Sequence, residues 1–154
     1  MDITNRQNTV IFDLDGTLAN IDKRRDVSTK DNGKLDWDKF FDPKNISLDQ
    51  PNLPVVWLAQ TMFDKGFRVV IFSGRSDITK DATLKWLDKH DIKFDLLRMR
   101  PHSLKFVPDA EIKKEWLDEL GKDFVFLVVD DRQKVVDMWR KQGLNTWQVA
   151  DGNF

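Results

Sequence analysis

Apolar residues fall in five short runs separated by stretches of helical periodicity. The runs are Thr9–Asp13 (TVIFD), Phe67–Ser73 (FRVVIFS), Phe94–Met99, Phe124–Asp130 (FVFLVVD) and Thr146–Ala150. They are rich in Val, Ile and Phe and lack in–out alternation, a pattern that predicts strands covered on both faces of a parallel sheet. Helices are predicted over Pro54–Lys65, stopped by Gly66, over Asp81–His90, over Asp109–Leu120 and over Arg132–Gln142, stopped by Gly143. Asp109 is expected to cap the third of these and Gly121 to stop it, with Ile112, Trp116, Leu117 and Leu120 along one stripe. Trp86, Trp116 and Trp139 lie within such stripes and are assigned to the core, and His90 is read as a cap that compensates a helix dipole. Strands alternating with helices imply an α/β fold, a three-layer α/β/α Rossmann-like domain around an open parallel sheet.

One stretch breaks the rhythm. Leu18–Asn52 lies where strand-to-helix loops usually take ~2–6 residues. It holds Arg24 and Arg25, an Asp/Asn/Gly turn at Asp31–Gly33, and aromatics at Trp37, Phe40 and Phe41. We read 18–52 as a small, partly ordered lid inserted after the first strand, over the carboxyl edge of the sheet. The aromatics either stack a base or pack the lid onto the body, and their i, i+3, i+4 spacing favours packing. With no repeat, low-complexity tract or linker, 1–154 is expected to be a single domain.

Composition narrows the chemistry. The 154 residues carry no Cys, which removes disulfides, thiolate metal sites and cysteine nucleophiles. Two His are too few for a His-rich metal site, and a net charge of −1 excludes a polybasic binder held by bulk charge. No long apolar run or signal core is present, so the expectation is a cytoplasmic protein with no membrane partner.

Ligands of open α/β sheets bind at the carboxyl ends of the strands. Three predicted strands end there in Asp13-Leu14-Asp15-Gly16-Thr17, Ser73-Gly74-Arg75 and Asp130-Asp131-Arg132. Four carboxylates, a hydroxyl and two guanidiniums would thus share one rim. Crowded like charges need a compensating cation, and a hard divalent ion with oxygen ligands, Mg²⁺, suits them. An EF-hand fails, because Leu18 and Arg24 stand where its Gly and Glu belong, and no glycine pair has P-loop spacing. A sugar-transferase DxD would leave the rest of the chain unexplained. Arg24 and Arg75 are candidates for gripping a second anion bidentately, the plainer alternative being an ion pair between lid and body. Arg98, Arg100, His102 and Lys105 form a positive run that either follows a nucleic-acid backbone or is a solvated loop.

DLDGT at Asp13–Thr17, the strand-ending Ser73, Lys113 and the pair Asp130–Asp131 resemble the four motifs of the haloacid-dehalogenase (HAD) superfamily of phosphotransferases, in order across nearly the whole chain. The chain resembles more closely still the 3′-phosphatase domains of bacteriophage polynucleotide kinase/phosphatases. IFDLDGTLA at Ile11–Ala19, Arg24, SGR at Ser73–Arg75 and the tail VVDDRQKVVDMWRKQG…WQVADGNF at Val128–Phe154 carry that likeness. It weakens in the insert after Arg25 and around Arg100–Pro108, and no kinase half is present.

The resemblance implies roles. Asp13 would attack phosphorus and form an aspartyl-phosphate, and Asp15 would protonate the leaving oxygen and then activate water. Asp13, the main-chain carbonyl of Asp15 and Asp130 or Asp131 would hold Mg²⁺. Ser73 and Lys113 would take phosphoryl oxygens, Lys114 being the rival lysine, while Thr17 holds the turn and Gly74, Arg24 and Arg75 contact substrate. The function implied is a Mg²⁺-dependent phosphomonoesterase that removes the 3′-phosphate from a nucleic-acid end. Its rivals are a 5′(3′)-nucleotidase acting on a mononucleotide, and a non-catalytic module that binds phosphorylated ends.

Overall fold

The computed structural model describes residues 7–154. Residues 1–6, part of the opening examined above for a signal core, lie outside them. Along the chain, β1 (Thr9–Phe12) leads into an insert made of β2 (Ala19–Asn20), α1 (Asp22–Ser28), α2 (Trp37–Phe40), α3 (Pro43–Ile46) and β3 (Gln50–Pro51). There follow α4 (Leu53–Asp64), β4 (Arg68–Ser76), α5 (Lys80–Lys89), β5 (Leu96–Arg100), α6 (Asp109–Leu120), β6 (Val125–Asp130), α7 (Gln133–Lys141) and β7 (Thr146–Gln148). The five long strands form one parallel sheet in the order β5-β4-β1-β6-β7.

Period-two side-chain direction divides the runs between two layers. Val10 and Phe12 of β1, Val69 and Ile71 of β4, and Leu127 and Val129 of β6 pack with Val55, Val56 and Ala59 of α4 and with Trp86 and Leu87 of α5. On the other face Ile11, Val70, Phe72 and Val128 meet Ile112, Trp116 and Leu117 of α6 and Val135 and Trp139 of α7. Both faces are covered, which is why the strands read as continuous apolar runs. From β1 the chain moves outward through β4 to β5, then returns to the other side of β1 for β6 and β7. Strand order therefore reverses at the β1–β6 pair, where a sheet of this kind opens its ligand crevice. Asp13 and Asp130 lie at that point.

The insert is ordered. β2 and β3 pair antiparallel, Asp36 caps α2 through the Asp38 and Lys39 amides, and Asp42 caps α3 through the Lys44 amide. Its Ile21, Phe40 and Ile46 are buried in the same cluster as Val10 and Phe12, so the insert shares the core of the body. Among the described residues no helix is long and apolar enough to cross a membrane.

Three details differ from expectation. β4 runs past Ser73 to Ser76, with a register slip against β5 between Ser73 and Ser76; the polar Gly74-Arg75-Ser76 tail carries no hydrophobic signal of a strand. Pro108, not Asp109, occupies the N-cap of α6, leaving the Asp109 side chain free of capping and turned to Arg100 and Lys113. His90 ends α5 with its ring 4.6 Å from that of Trp86. Burial and the charge of Lys89 lower its pKa, which works against the charge that would offset the helix dipole.

Ile46, only 1 % exposed, ties α3 to the body. Ile46→Ala is expected to cost ~2–5 kcal/mol in urea unfolding with a single transition retained. A loss below about 1 kcal/mol, or separate unfolding of the insert, would contradict a shared core.

Candidate active site

The turn after β1 is closed by main-chain bonds from the Thr17 and Ala19 amides to the Leu14 carbonyl, while the Asp13 amide bonds Val129 of β6 at 2.9 Å. Asp13 is thereby held at the reversal point of the sheet. One of its carboxylate oxygens accepts from Lys113 Nζ at 2.8 Å, the other from the Thr17 hydroxyl at 3.0 Å. Lys113 also donates to Asp130 at 3.1 Å and lies 3.8 Å from Asp109, one helical turn before it on α6. Lys114 points elsewhere and pairs with the exposed Asp118, so of the two lysines it is Lys113 that meets Asp13. Asp130 is further fixed by the indole N–H of Trp139 at 3.1 Å and by the amide of Asp131 at 2.8 Å.

Carboxylate oxygens of Asp13, Asp130 and Asp131 all lie within 4.8 Å of one another, and all three residues are buried. Asp109 is balanced by Arg100 at 3.0 Å, so Lys113 is left facing these three and the group is two charges short of neutrality. The strain shows in their protonation. Burial pushes the Asp13 carboxyl well above the ordinary range, reinforced by Asp130 and Asp131 and opposed by Lys113. Asp131 is raised by burial and by Asp130. Against burial, Asp13, Asp130 and Asp109 hold Lys113 firmly protonated. A hard divalent cation with oxygen ligands fits this all-carboxylate donor set and supplies the missing charge.

A second cluster lies beside the first. Asp15 Oδ1 accepts from Arg24 Nη2 at 2.7 Å and from Arg75 through both Nε, at 3.1 Å, and Nη2. Asp49, which the sequence reading passed over, completes it: its Oδ1 accepts from Arg24 Nε at 2.9 Å and its Oδ2 from Arg75 Nη2 at 3.0 Å. Arg24 and Arg75 are fully buried, and their remaining donors go to the Phe40 carbonyl and the Thr83 hydroxyl. Every guanidinium nitrogen of both arginines thus has a partner within the protein, which is the geometry of the ion-pair alternative. Opposing the upward push of burial, the charges of Arg75 and Arg24 hold Asp15 at about 2. Burial pushes Asp49 up to about 6, still ionised at neutral pH.

Two glycines lie hard against carboxylates of the site. Gly16 has φ +82°, and a Cβ there would stand 2.2 Å from Asp131 Oδ2. A Cβ on Gly74 would meet Asp109 Oδ1 at 2.1 Å. An open cleft of about 1170 Å³ lies above, lined by Asp13, Asp15, Gly16, Gly74, Arg75 and Asp131. Ser73 is fully buried, and its hydroxyl accepts the Arg75 amide at 3.1 Å. The positive run divides: Arg98 pairs with Glu119, Arg100 binds the Gly74 and Leu104 carbonyls and Asp109, and His102 and Lys105 line the cleft.

Sheet order, an aspartate at the reversal point and a lysine-bridged carboxylate group define a HAD-type phosphatase, a phosphomonoesterase hydrolase. Within that class the chain belongs to the family of the polynucleotide kinase PNKP phosphatase domain, which residues 7–154 match. It is 32 % identical over 136 residues to a protein of Autographa californica nuclear polyhedrosis virus that carries the name bifunctional polynucleotide kinase/RNA ligase, covering 85 % of this chain and 17 % of that one. A chain of the Pnkp1/Rnl/Hen1 complex superposes with a TM-score of 0.79 at 35 % identity, over 98 % of this chain and 48 % of that one. The present chain therefore spans under half the length of these relatives. A HAD family enzyme from Bacteroides thetaiotaomicron, crystallised with magnesium and inorganic phosphate, shares the fold at a TM-score of 0.59 and 16 % identity, over 96 % of each chain.

Two outcomes follow from the arginine cluster. Asp49→Ala leaves buried guanidinium charge unpaired and is expected to cost ~3–5 kcal/mol, read from urea unfolding; a loss under about 1 kcal/mol would show the pairing to be idle. The folded pKa of Asp15 lies below its unfolded value of about 3.9, so its stabilisation of about 2 kcal/mol is present above pH ~4 and is lost as pH falls toward 2. Asp15→Asn should flatten the stability profile across that window, and a profile parallel to wild type would refute the assignment.

Proposed function

We propose that this chain removes the 3′-phosphate from nucleic-acid ends, with Mg²⁺ and through an aspartyl-phosphate on Asp13. The observation that carries this reading is the position of Asp13. It lies at the cleft floor, oriented by Lys113 and Thr17, within one carboxylate group with Asp130 and Asp131. Mg²⁺ held by Asp13, Asp130 and Asp131 would supply charge neutralisation for the phosphoryl oxygens, and a HAD fold relative was crystallised with that ion.

In the first step an Asp13 oxygen attacks phosphorus in line, and the P–O bond to the sugar breaks as the new one forms. Asp15 gives its proton to the departing 3′-oxygen. Asp15, ionised at rest, takes up that proton from solvent as the phosphate enters, because the added like charge raises its pKa from about 2. In the second step Asp15, again ionised, takes a proton from water as the water oxygen attacks phosphorus, releasing inorganic phosphate and restoring Asp13. The Lys113 ammonium stabilises the charge that builds. Ser73, Gly74 and Arg75 shape the edge of the site. Arg24 and Arg75 act on substrate through Asp15, which they hold in place.

Support for a polynucleotide end comes from two sides. The chain's relatives carry polynucleotide kinase and RNA repair in their names. The open cleft of about 1170 Å³ is also larger than the ~300–1,000 Å³ usual for small-molecule pockets. The decisive comparison is kcat/KM with Mg²⁺ on a 3′-phosphorylated oligonucleotide and on a nucleoside 3′-monophosphate. The oligonucleotide is expected to be the better substrate; a preference for the mononucleotide would make the chain a nucleotidase. Asp13→Asn is expected to lose about 10⁴-fold or more in kcat, and chelation should abolish turnover until Mg²⁺ is restored. Full turnover in either case would refute the mechanism.

A further inference from the structure

The aromatic cluster of the insert divides in the folded chain. Phe40 is buried beneath the Arg24 guanidinium, 4.4 Å from its carbon, whereas Trp37 remains 60 % exposed. Trp37 is nevertheless rigidly mounted. Its indole stacks on Phe41 at 5.8 Å and 21° and meets Phe40 edge-on at 5.7 Å. Phe106, in the loop before α6, is 90 % exposed, with Lys105 Nζ 5.3 Å from its ring. Its loop is stapled by Arg100, which binds the carbonyls of Gly74 and Leu104 and the carboxylate of Asp109. Both rings line the cleft whose floor is Asp13.

Leaving two large rings in water forgoes the stabilisation that burial would give. Exposed aromatics on firm supports beside a reactive group point to a ligand with flat apolar faces. Arg25, Lys105, Arg132 and Lys134 line the same cleft, and cations interleaved with aromatics are how single-stranded nucleic acid is held without sequence preference.

Building on the proposed 3′-phosphatase reading, we propose that Trp37 and Phe106 are stacking platforms for the bases of a single strand whose terminal phosphate lies at Asp13. Trp37 connects to the acid–base residue through Phe40 and Arg24, so the platform and Asp15 are carried by one packed unit. A duplex end would hold its terminal bases in its own stack, which is why the occupant is single-stranded. Deoxyribose and ribose strands offer the same base faces, and both belong in the test.

Trp37→Ala, Phe106→Ala and the double variant are compared with wild type on three Mg²⁺-supported substrates. These are a 3′-phosphorylated single-stranded oligonucleotide in deoxy and ribo forms, its fully duplexed counterpart, and glycerol 2-phosphate, which carries a phosphate and no base. Each single variant should lose ~5–100-fold in kcat/KM on the single strand, the equivalent of ~1–3 kcal/mol per stacked base. The loss should fall on KM, with kcat at saturation retained and glycerol 2-phosphate turned over as by wild type; Trp37→Phe should restore most of the affinity. No loss on the single strand, an equal loss on glycerol 2-phosphate, or wild-type preference for the duplex would overturn the platform. Should wild type instead show no preference for the oligonucleotide over a nucleoside 3′-monophosphate, the 3′-end reading itself falls. That result is distinct from one in which the preference stands and the variants keep it.

Discussion

Everything in the site depends on one buried ammonium. Lys113 is buried between Asp13 and Asp130, with both carboxylates within hydrogen-bond distance. Carboxylates so placed repel at short range in a medium far less polar than water, and a single positive charge covers only part of the deficit. The remaining negative charge is what a bound divalent ion would neutralise. Together with burial, the larger cause, that charge raises the pKa of Asp13 and Asp131. The fold supplies the geometry. The β1–β6 reversal brings the strand ends together, α6 delivers Lys113 from below, and α7 sends the Trp139 N–H onto Asp130.

The second ion cluster serves a different end. Two guanidiniums and two carboxylates from β4, the turn after β1, α1 and the end of the insert satisfy one another out of water. Such a network contributes little net stability, but any gap in it is costly, so it ties the insert to the nucleophile turn in one register. The insert described here is thus a fixed wall of the cleft, continuous with the core through Ile46 and Phe40. A firm wall also gives Trp37 its fixed orientation.

Much of this was legible in the chain. Strands covered on both faces announce themselves as unbroken Val/Ile/Phe runs, so all five appeared, with ends displaced by a few residues. Asp13, Asp15, Asp130 and Asp131 followed because polar residues at the ends of such runs share one rim. Asp49 did not, since it lies in an irregular segment and its partners Arg24 and Arg75 are distant along the chain. Asp109 was misread because an aspartate beginning a helix looks like a cap; its spacing of one turn from Lys113 was the available signal. The fate of Arg24 and Arg75, buried and paired with carboxylates, depends in part on that unseen Asp49. The indole of Trp139 was placed in the core correctly, yet its N–H bond to Asp130 has no sequence signature.

The central claim is that the buried carboxylates gather a divalent ion so that Asp13 can accept a phosphoryl group. A crystal structure with Mg²⁺ and beryllofluoride tests it most directly. The account predicts beryllium bonded to an Asp13 oxygen, Mg²⁺ at ~2.0–2.1 Å from the carboxylates of Asp13 and of Asp130 or Asp131, and the Lys113 ammonium on a fluoride. A metal bound away from these three aspartates, or an adduct on any other side chain, would contradict it.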